Sequence, residues 1–143
     1  MRISKAGKCI GAKFASRYYD AFNFGALLYC NHHGETDRAF TSCADHTSFL
    51  PFPLYNTVVM ENEDNEYKVF KNGQQIYSKM TDTLKATVED AICKASELTS
   101  LRIGDLVAVE LQPSERLSSR AEKETHIKSL FCENDLFEFK VIF

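Results

Sequence analysis

Glu66-Tyr67-Lys68-Val69-Phe70-Lys71-Asn72-Gly73-Gln74-Gln75-Ile76-Tyr77-Ser78-Lys79 opens the stretch, running on to Leu111, whose reading decides the fold. Two short runs that alternate apolar and polar residues flank Asn72-Gly73. Asn-Gly in that setting marks a two-residue hairpin, because a type I′ turn needs positive φ at both central residues. A helix pattern follows, with Val88, Ala91, Ile92, Ala95 and Leu98 spaced to line one face. Thr87 is placed to cap its first turn, and Asp90 adds negative charge near the positive end of the helix dipole. A turn at Ile103-Gly104-Asp105 then launches Leu106-Val107-Ala108-Val109, an unbroken apolar run that reads as a strand buried on both faces.

Outward from this unit, the 143-residue chain suits one domain over 1–143. Its 44% apolar and 26% charged fractions are those of a globular protein, and eleven Phe with six Tyr predict a core rich in flat rings. A net charge of −3 gives no global support to nucleic-acid binding. The charge is uneven. Arg2, Lys5, Lys8, Lys13 and Arg17 face only Asp20 before Cys30, whereas Glu61, Glu63, Asp64 and Glu66 form an acidic cluster. Each patch reads as a solvated face or as an ion-binding one.

The five cysteines, Cys9, Cys30, Cys43, Cys93 and Cys132, are odd in number and scattered, which argues against a disulfide framework. The first residues lack an apolar signal region, and no apolar run is long enough for a membrane span. A reducing cytoplasm is the expected location, without membrane or nucleic-acid partners.

Elsewhere, Gly11 to Phe22 reads as a helix with Phe14 and Tyr18 on one face, and Phe24 to Cys30 as a deeply buried strand. Asn31 to Asp37 is a loop, and Pro51 and Pro53 interrupt regular structure around Phe52. Thr125 to Lys128 is a short strand. After a turn at Glu133-Asn134-Asp135, the alternation of Phe137, Phe139, Val141 and Phe143 with polar neighbours predicts a half-buried closing strand.

The order of these signals resembles the C-terminal catalytic domain of the fumarylacetoacetate hydrolase superfamily. The hairpin at Asn72-Gly73, the helix closing at Ala95-Ser96 and Leu101-x-x-Gly104-Asp105-Leu106-Val107 carry the later part of the match. Arg2 to Ile10, Lys13 to Asp20, Arg38-Ala39-Phe40-Thr41-Ser42 and Phe49 to Pro53 carry the earlier part. The resemblance implies an α+β, mainly β fold of rolled and layered mixed sheets, without that family's first strands. It also implies a dimer, oxo-acid or diketone substrates, and Mg²⁺, Mn²⁺ or Ca²⁺ as cofactor.

The same alignment of motifs removes the chemistry. The family's Glu-x-Glu metal ligands fall upstream of Met1, and Cys30 stands where the third carboxylate is expected. A thiol is a poor ligand for a hard, oxygen-seeking cation, so no metal cofactor is expected. Arg38 replaces the family lysine, keeping the charge but not its proton chemistry. The substrate loop Thr-Gly-Thr-Pro becomes Glu110-Leu111-Gln112-Pro113. Arg38 and Glu110 are thus candidates for a vestigial site, and a non-catalytic relative is the expected function.

Two alternatives stay open. One is an active oxo-acid hydrolase, isomerase or decarboxylase with a site rebuilt around Arg38, Glu110 and the histidines. The other is a zinc- or partner-binding module using Cys30, His32, His33 and His46, whose ligand types suit Zn²⁺ although their spacing fits no standard finger. A nucleophilic pair of Cys30 or Cys43 with His32 or His46 lacks any local mark of an activated thiolate. Asp105 reads as a turn residue and His126 as structural.

Overall fold

The structure is a computed structural model that describes residues 1–29 and 45–143. The strands among them are β1 (Arg2–Ile3), β2 (Tyr19–Phe22), β3 (Ala26–Leu27), β4 (Ser48–Phe49), β5 (Tyr55–Asn56), β6 (Glu66–Lys71), β7 (Gln74–Met80), β8 (Glu124–Phe131) and β9 (Asn134–Ile142). Among the described residues an α-helix, α1, spans Lys85–Leu98, and short 3₁₀ turns occupy Ala12–Arg17, Thr57–Glu61, Asp82–Leu84 and Arg120–Glu122. These strands form three sheets, ordered β1-β2-β5, β3-β4 and β7-β6-β8-β9. Every strand pairing among these described residues is antiparallel, and the expected mainly β, layered fold is present.

The four-stranded sheet is built from two hairpins. Asn72 and Gly73 take φ of 50° and 82°, as a type I′ turn demands. Asn72 adds a tether that glycine would lack, since its Oδ1 accepts the His126 amide at 2.8 Å. The β8–β9 hairpin turns at Cys132-Glu133 instead, with φ of 49° and 62°, earlier than the expected Glu133-Asn134-Asp135 turn. Neither residue is glycine, so the conformation costs energy. Contacts offset it: the Cys132 amide donates to the Glu66 carbonyl at 3.1 Å, and the Glu133 carboxylate meets Lys68 Nζ at 2.6 Å.

On β8, Thr125, Ile127, Ser129 and Phe131 are buried in alternation with half-buried neighbours, so one face of the sheet meets the core. The facing layer comes from β2 and β5, and the two are joined by rings. Phe24 stacks on Tyr67 with centroids 4.1 Å apart, and Phe22, Tyr55 and Phe131 close around them edge-on or tilted. The expected aromatic core is present.

Several elements differ from the sequence reading. The N-terminal helix is only the 3₁₀ turn Ala12–Arg17. From Tyr19 the chain becomes β2, because Tyr19, Ala21 and Phe22 are buried while the chain pairs with both β1 and β5. Phe14 is 41% exposed. Of Phe24 to Tyr29 only Ala26–Leu27 is strand, paired to Ser48–Phe49, and Leu27 is exposed. Helix α1 begins at Lys85, running straight on from the turn at Asp82–Leu84, so Thr87 lies inside it and caps nothing. Leu98 is 89% exposed; Ser96 takes its expected place in the buried stripe with Val88 and Ile92. The run Leu106–Val109 is not a strand buried on both faces. Among the described residues its backbone bonds along Met1 and Arg2, through one bridge, the Val107 amide and the Val107 carbonyl, which accepts the Met1 ammonium at 2.8 Å, and Leu106 is 55% exposed.

Ser96 is the pin that holds the N-terminal segment on the helix. Its hydroxyl donates to the Cys93 carbonyl at 2.7 Å and accepts the Ile10 amide at 2.8 Å. Its own carbonyl accepts the Cys9 amide at 2.9 Å, while Gly7 and Leu101 exchange two backbone bonds. Cys9, Cys93 and Cys132 are free thiols.

Two substitutions test this account. Ser96→Ala leaves the buried Ile10 amide without an acceptor and should destabilise the protein by about 1–3 kcal/mol in urea unfolding. At Gly25 an added Cβ would lie 2.2 Å from the Phe49 carbonyl oxygen, which belongs to backbone that cannot step aside. Gly25→Ala should therefore separate β3 from β4 and lower the melting temperature, whereas Gly11→Ala, with only ordinary contact at 3.9 Å, should not.

Candidate functional site

Glu110 stands at the end of the apolar run, where the resemblance places a substrate loop. It is exposed, and its Oε1 accepts the Tyr29 hydroxyl at 3.1 Å. Tyr29 directly precedes Cys30, so the two chain segments expected to flank a site are tied together. Cys30, His32, His33, Arg38 and Cys43 lie outside the described residues. His46 is exposed in the turn before β4, with a left-handed φ of 60°. Among the described residues no three His, Cys, Asp or Glu side chains converge as a metal site would require. His46, the described member of the proposed zinc set, thus assembles no metal centre with other described side chains.

Two polar residues take the roles read from sequence. Asp105 closes its turn: Oδ2 accepts the Arg102 amide at 2.7 Å, and its carbonyl accepts the Ile3 amide at 2.8 Å. His126 lies on β8 with Nε2 2.7 Å from Glu138 Oε1, a cross-strand pair on the outer face of the sheet.

The sequence reading missed a small pocket of about 80 Å³, lined by Ser16, Tyr19, Thr57, Met60, Glu61 and Lys85. It lies where two 3₁₀ turns and the start of α1 meet. Lys85 Nζ sits 3.0 Å from Glu61 Oε1, so its cation and anion neutralise each other. The Tyr19 hydroxyl faces Glu89 Oε1 at 3.5 Å. Burial, reinforced by the charges of Glu89 and Glu61, pushes the Tyr19 phenol up to about 12. The pocket therefore presents a neutral phenol and a closed ion pair, with room for a few waters. No local motif marks it, because Glu61 and Lys85 are brought together only by the fold.

A raised phenol pKa favours the protonated, folded state. The contribution of Tyr19 is complete below the ordinary tyrosine value near pH 10 and is lost as pH climbs through about 12. Urea midpoints should hold steady below pH 10 and fall above it. Tyr19→Phe should flatten that fall, leaving the share due to Tyr67, which burial also raises.

No family model matches the sequence, and no curated protein matches it. Solved structures do. The chain superposes on maleylpyruvate hydrolase from Sphingobium sp. SYK-6 with a TM-score of 0.68 at 15% identity, covering 99% of this chain and 51% of that one. The same hydrolase is solved in complex with manganese(II) and pyruvate. A putative fumarylacetoacetate hydrolase family protein from Yersinia pestis CO92 gives 0.62 at 12% identity, over 99% of this chain and 66% of that one. The 5-carboxymethyl-2-hydroxymuconate delta-isomerase from Mycobacterium smegmatis gives 0.62 at 16% identity, over 96% and 53%. The chain thus spans between about half and two thirds of the length of these proteins. Across that span it has the fold of the fumarylacetoacetate hydrolase family structures.

Proposed function

We propose that this chain is a non-catalytic relative of the fumarylacetoacetate hydrolases, a scaffold whose third metal carboxylate and substrate loop have been replaced. The observation that carries this reading is the state of Glu110-Leu111-Gln112-Pro113. A substrate loop needs glycine so that backbone can approach the ligand, and hydroxyls to bond it. This segment has neither, and its carboxylate is engaged by the Tyr29 hydroxyl. Cys30 in place of an aspartate and Arg38 in place of a lysine point the same way. Three free thiols accord with a reducing compartment.

One structural neighbour is a maleylpyruvate hydrolase, so the test uses oxo-acid chemistry. Acylpyruvate hydrolysis and oxaloacetate decarboxylation, each with millimolar Mg²⁺ or Mn²⁺, should proceed no faster with the protein than with metal alone. Arg38→Ala should change neither background. Turnover that rises with protein concentration and falls in Arg38→Ala would establish a rebuilt active site. One tightly held zinc per chain, lost in His32→Ala, would instead establish a metal-binding module.

A further inference from the structure

We propose that the face formed by residues 4–11, the 3₁₀ turn Ala12–Arg17 and Arg102 binds a short acidic segment of another protein, one with an apolar residue among its carboxylates. Lys5, Lys8, Lys13, Arg17 and Arg102 are exposed there, and none has an ion-pair partner among the described residues. By contrast, Lys68, Lys71, Lys85, Lys94, Lys128 and Lys140 each hold a carboxylate at 2.6 to 3.0 Å. Asp20 and Asp105 are turned to other donors: Asp20 to both Arg2 nitrogens at 2.8 and 2.9 Å, Asp105 to the Arg102 amide at 2.7 Å. Three of the cations rest on rings instead. Lys13 lies 4.9 Å and Arg17 5.5 Å from the Phe14 centroid, and Lys5 5.2 Å from that of Tyr18.

The frame that holds these charges is fixed. The Ser4 amide donates to the Tyr18 carbonyl at 2.8 Å, which brings Lys5 to the end of the turn. Ser96 clamps Cys9 and Ile10, and the two bonds between Gly7 and Leu101 set Arg102 across from the segment that carries Lys5 and Lys8. Like charges on one frame repel, and a bound anion relieves that repulsion. Because the backbone is already ordered, binding costs little further entropy. Apolar surface lies among the cations: Phe14 is 41% exposed between Lys13 and Arg17, and Ile103, beside Arg102, is 73% exposed. The ligand that matches is therefore acidic and partly apolar. It is also short, because the turn Thr57–Glu61 adjoins the basic turn at the Tyr19 pocket, and Glu61, Glu63 and Asp64 are exposed there. A single-stranded nucleic acid matches worse. Its continuous charge would meet those carboxylates, and Lys13 and Arg17 already lie over the Phe14 ring on which a base would stack. None of these residues belongs to the candidate site, so the face serves its partner whether or not the chain is catalytic.

Fluorescence anisotropy of the full chain with the labelled peptide Glu-Asp-Phe-Glu-Glu-Leu-Asp-Glu tests this. Titrations at about 50 mM and about 500 mM salt differ about threefold in screening length, and the dissociation constant should rise about tenfold or more between them. Lys13→Glu with Arg17→Glu should weaken binding about tenfold or more at low salt. Arg116→Glu with Arg120→Glu changes the net charge equally, beside the four-stranded sheet where Glu122 holds Lys71, and should leave binding unchanged. Phe14→Ser, or a peptide with Ser in place of Phe and Leu, should weaken it about fivefold or more, since an apolar anchor contributes about 1 kcal/mol or more. All the substituted side chains are exposed, and unchanged circular dichroism and melting would show that each variant folds. Absence of binding at about 1 mM peptide in low salt, the weak end of specific recognition, would overturn the proposal. So would equal losses in the two charge-matched variants, indifference to the apolar residues, or tighter binding of an oligothymidylate of the same charge.

Discussion

The stack of Phe24 on Tyr67 is the contact on which the rest of the structure depends. Tyr67 belongs to β6 in the four-stranded sheet, and Phe24 to the chain leaving β2 in the three-stranded one. Without their contact, and the packing of Phe22 and Tyr55 on Phe131, the two layers would share little apolar surface. Rings of this kind bury on the order of 150–250 Å² each, and well-placed pairs add about 0.5–1.5 kcal/mol beyond that area. Position is fixed by Asn23 between the two phenylalanines. Its side-chain amide donates to the carbonyls of Pro51 at 2.9 Å and Pro53 at 3.1 Å, while its Oδ1 accepts the Phe24 amide at 2.8 Å. One polar residue thus orients two core rings and anchors the proline segment that leads into β5.

The outer face of the four-stranded sheet is organised by charge instead. Glu66, Lys68 and Glu133 are linked, Lys128 meets Asp135, His126 meets Glu138, and Lys140 meets Glu124. Exposed pairs of this kind contribute little stability each. Their effect is on register, because a slip of one residue would carry these charges into the ring cluster. Hydrogen bonding to Ser78 and Lys68 holds the Glu66 carboxyl below its ordinary range.

What was legible in the sequence was local. Asn72-Gly73 specifies its own backbone, so the hairpin could be read from two residues and their flanks. The closing strand announces itself by strict alternation. The Cys132-Glu133 turn carries no such mark: its positive φ is imposed by contacts with Asn65, Glu66 and Lys68, distant in sequence. Tyr18 to Phe22 was read as helix because apolar residues spaced by three or four occur by chance in a dense aromatic stretch. Pairing with two strands decided otherwise. Leu106–Val109 shows the opposite error, since an unbroken apolar run does not say that both faces are covered: Val107 and Val109 pack on the core while Leu106 is exposed. Of the candidate site, Glu110 was found from its place after the Gly104-Asp105 turn. The pocket at Tyr19 was not, because its ion pair spans from Glu61 to Lys85.

The same distinction explains how a fold can outlast a chemistry. Residues that hold the layers, Phe22, Phe24, Tyr67, Phe131 and Ser96, each touch several elements, so replacing one disturbs all of them. Among the described residues, Glu110 bonds to Tyr29 and His46 sits in a tight exposed turn. Substitutions there cost almost no stability, as surface positions away from caps and cores generally do not. The constraint from folding therefore falls on the ring cluster and its pins, while the positions that would carry a reaction are held only by the reaction itself. On the non-catalytic reading proposed above, the packing keeps its demands while Glu110-Leu111-Gln112-Pro113 answers to none.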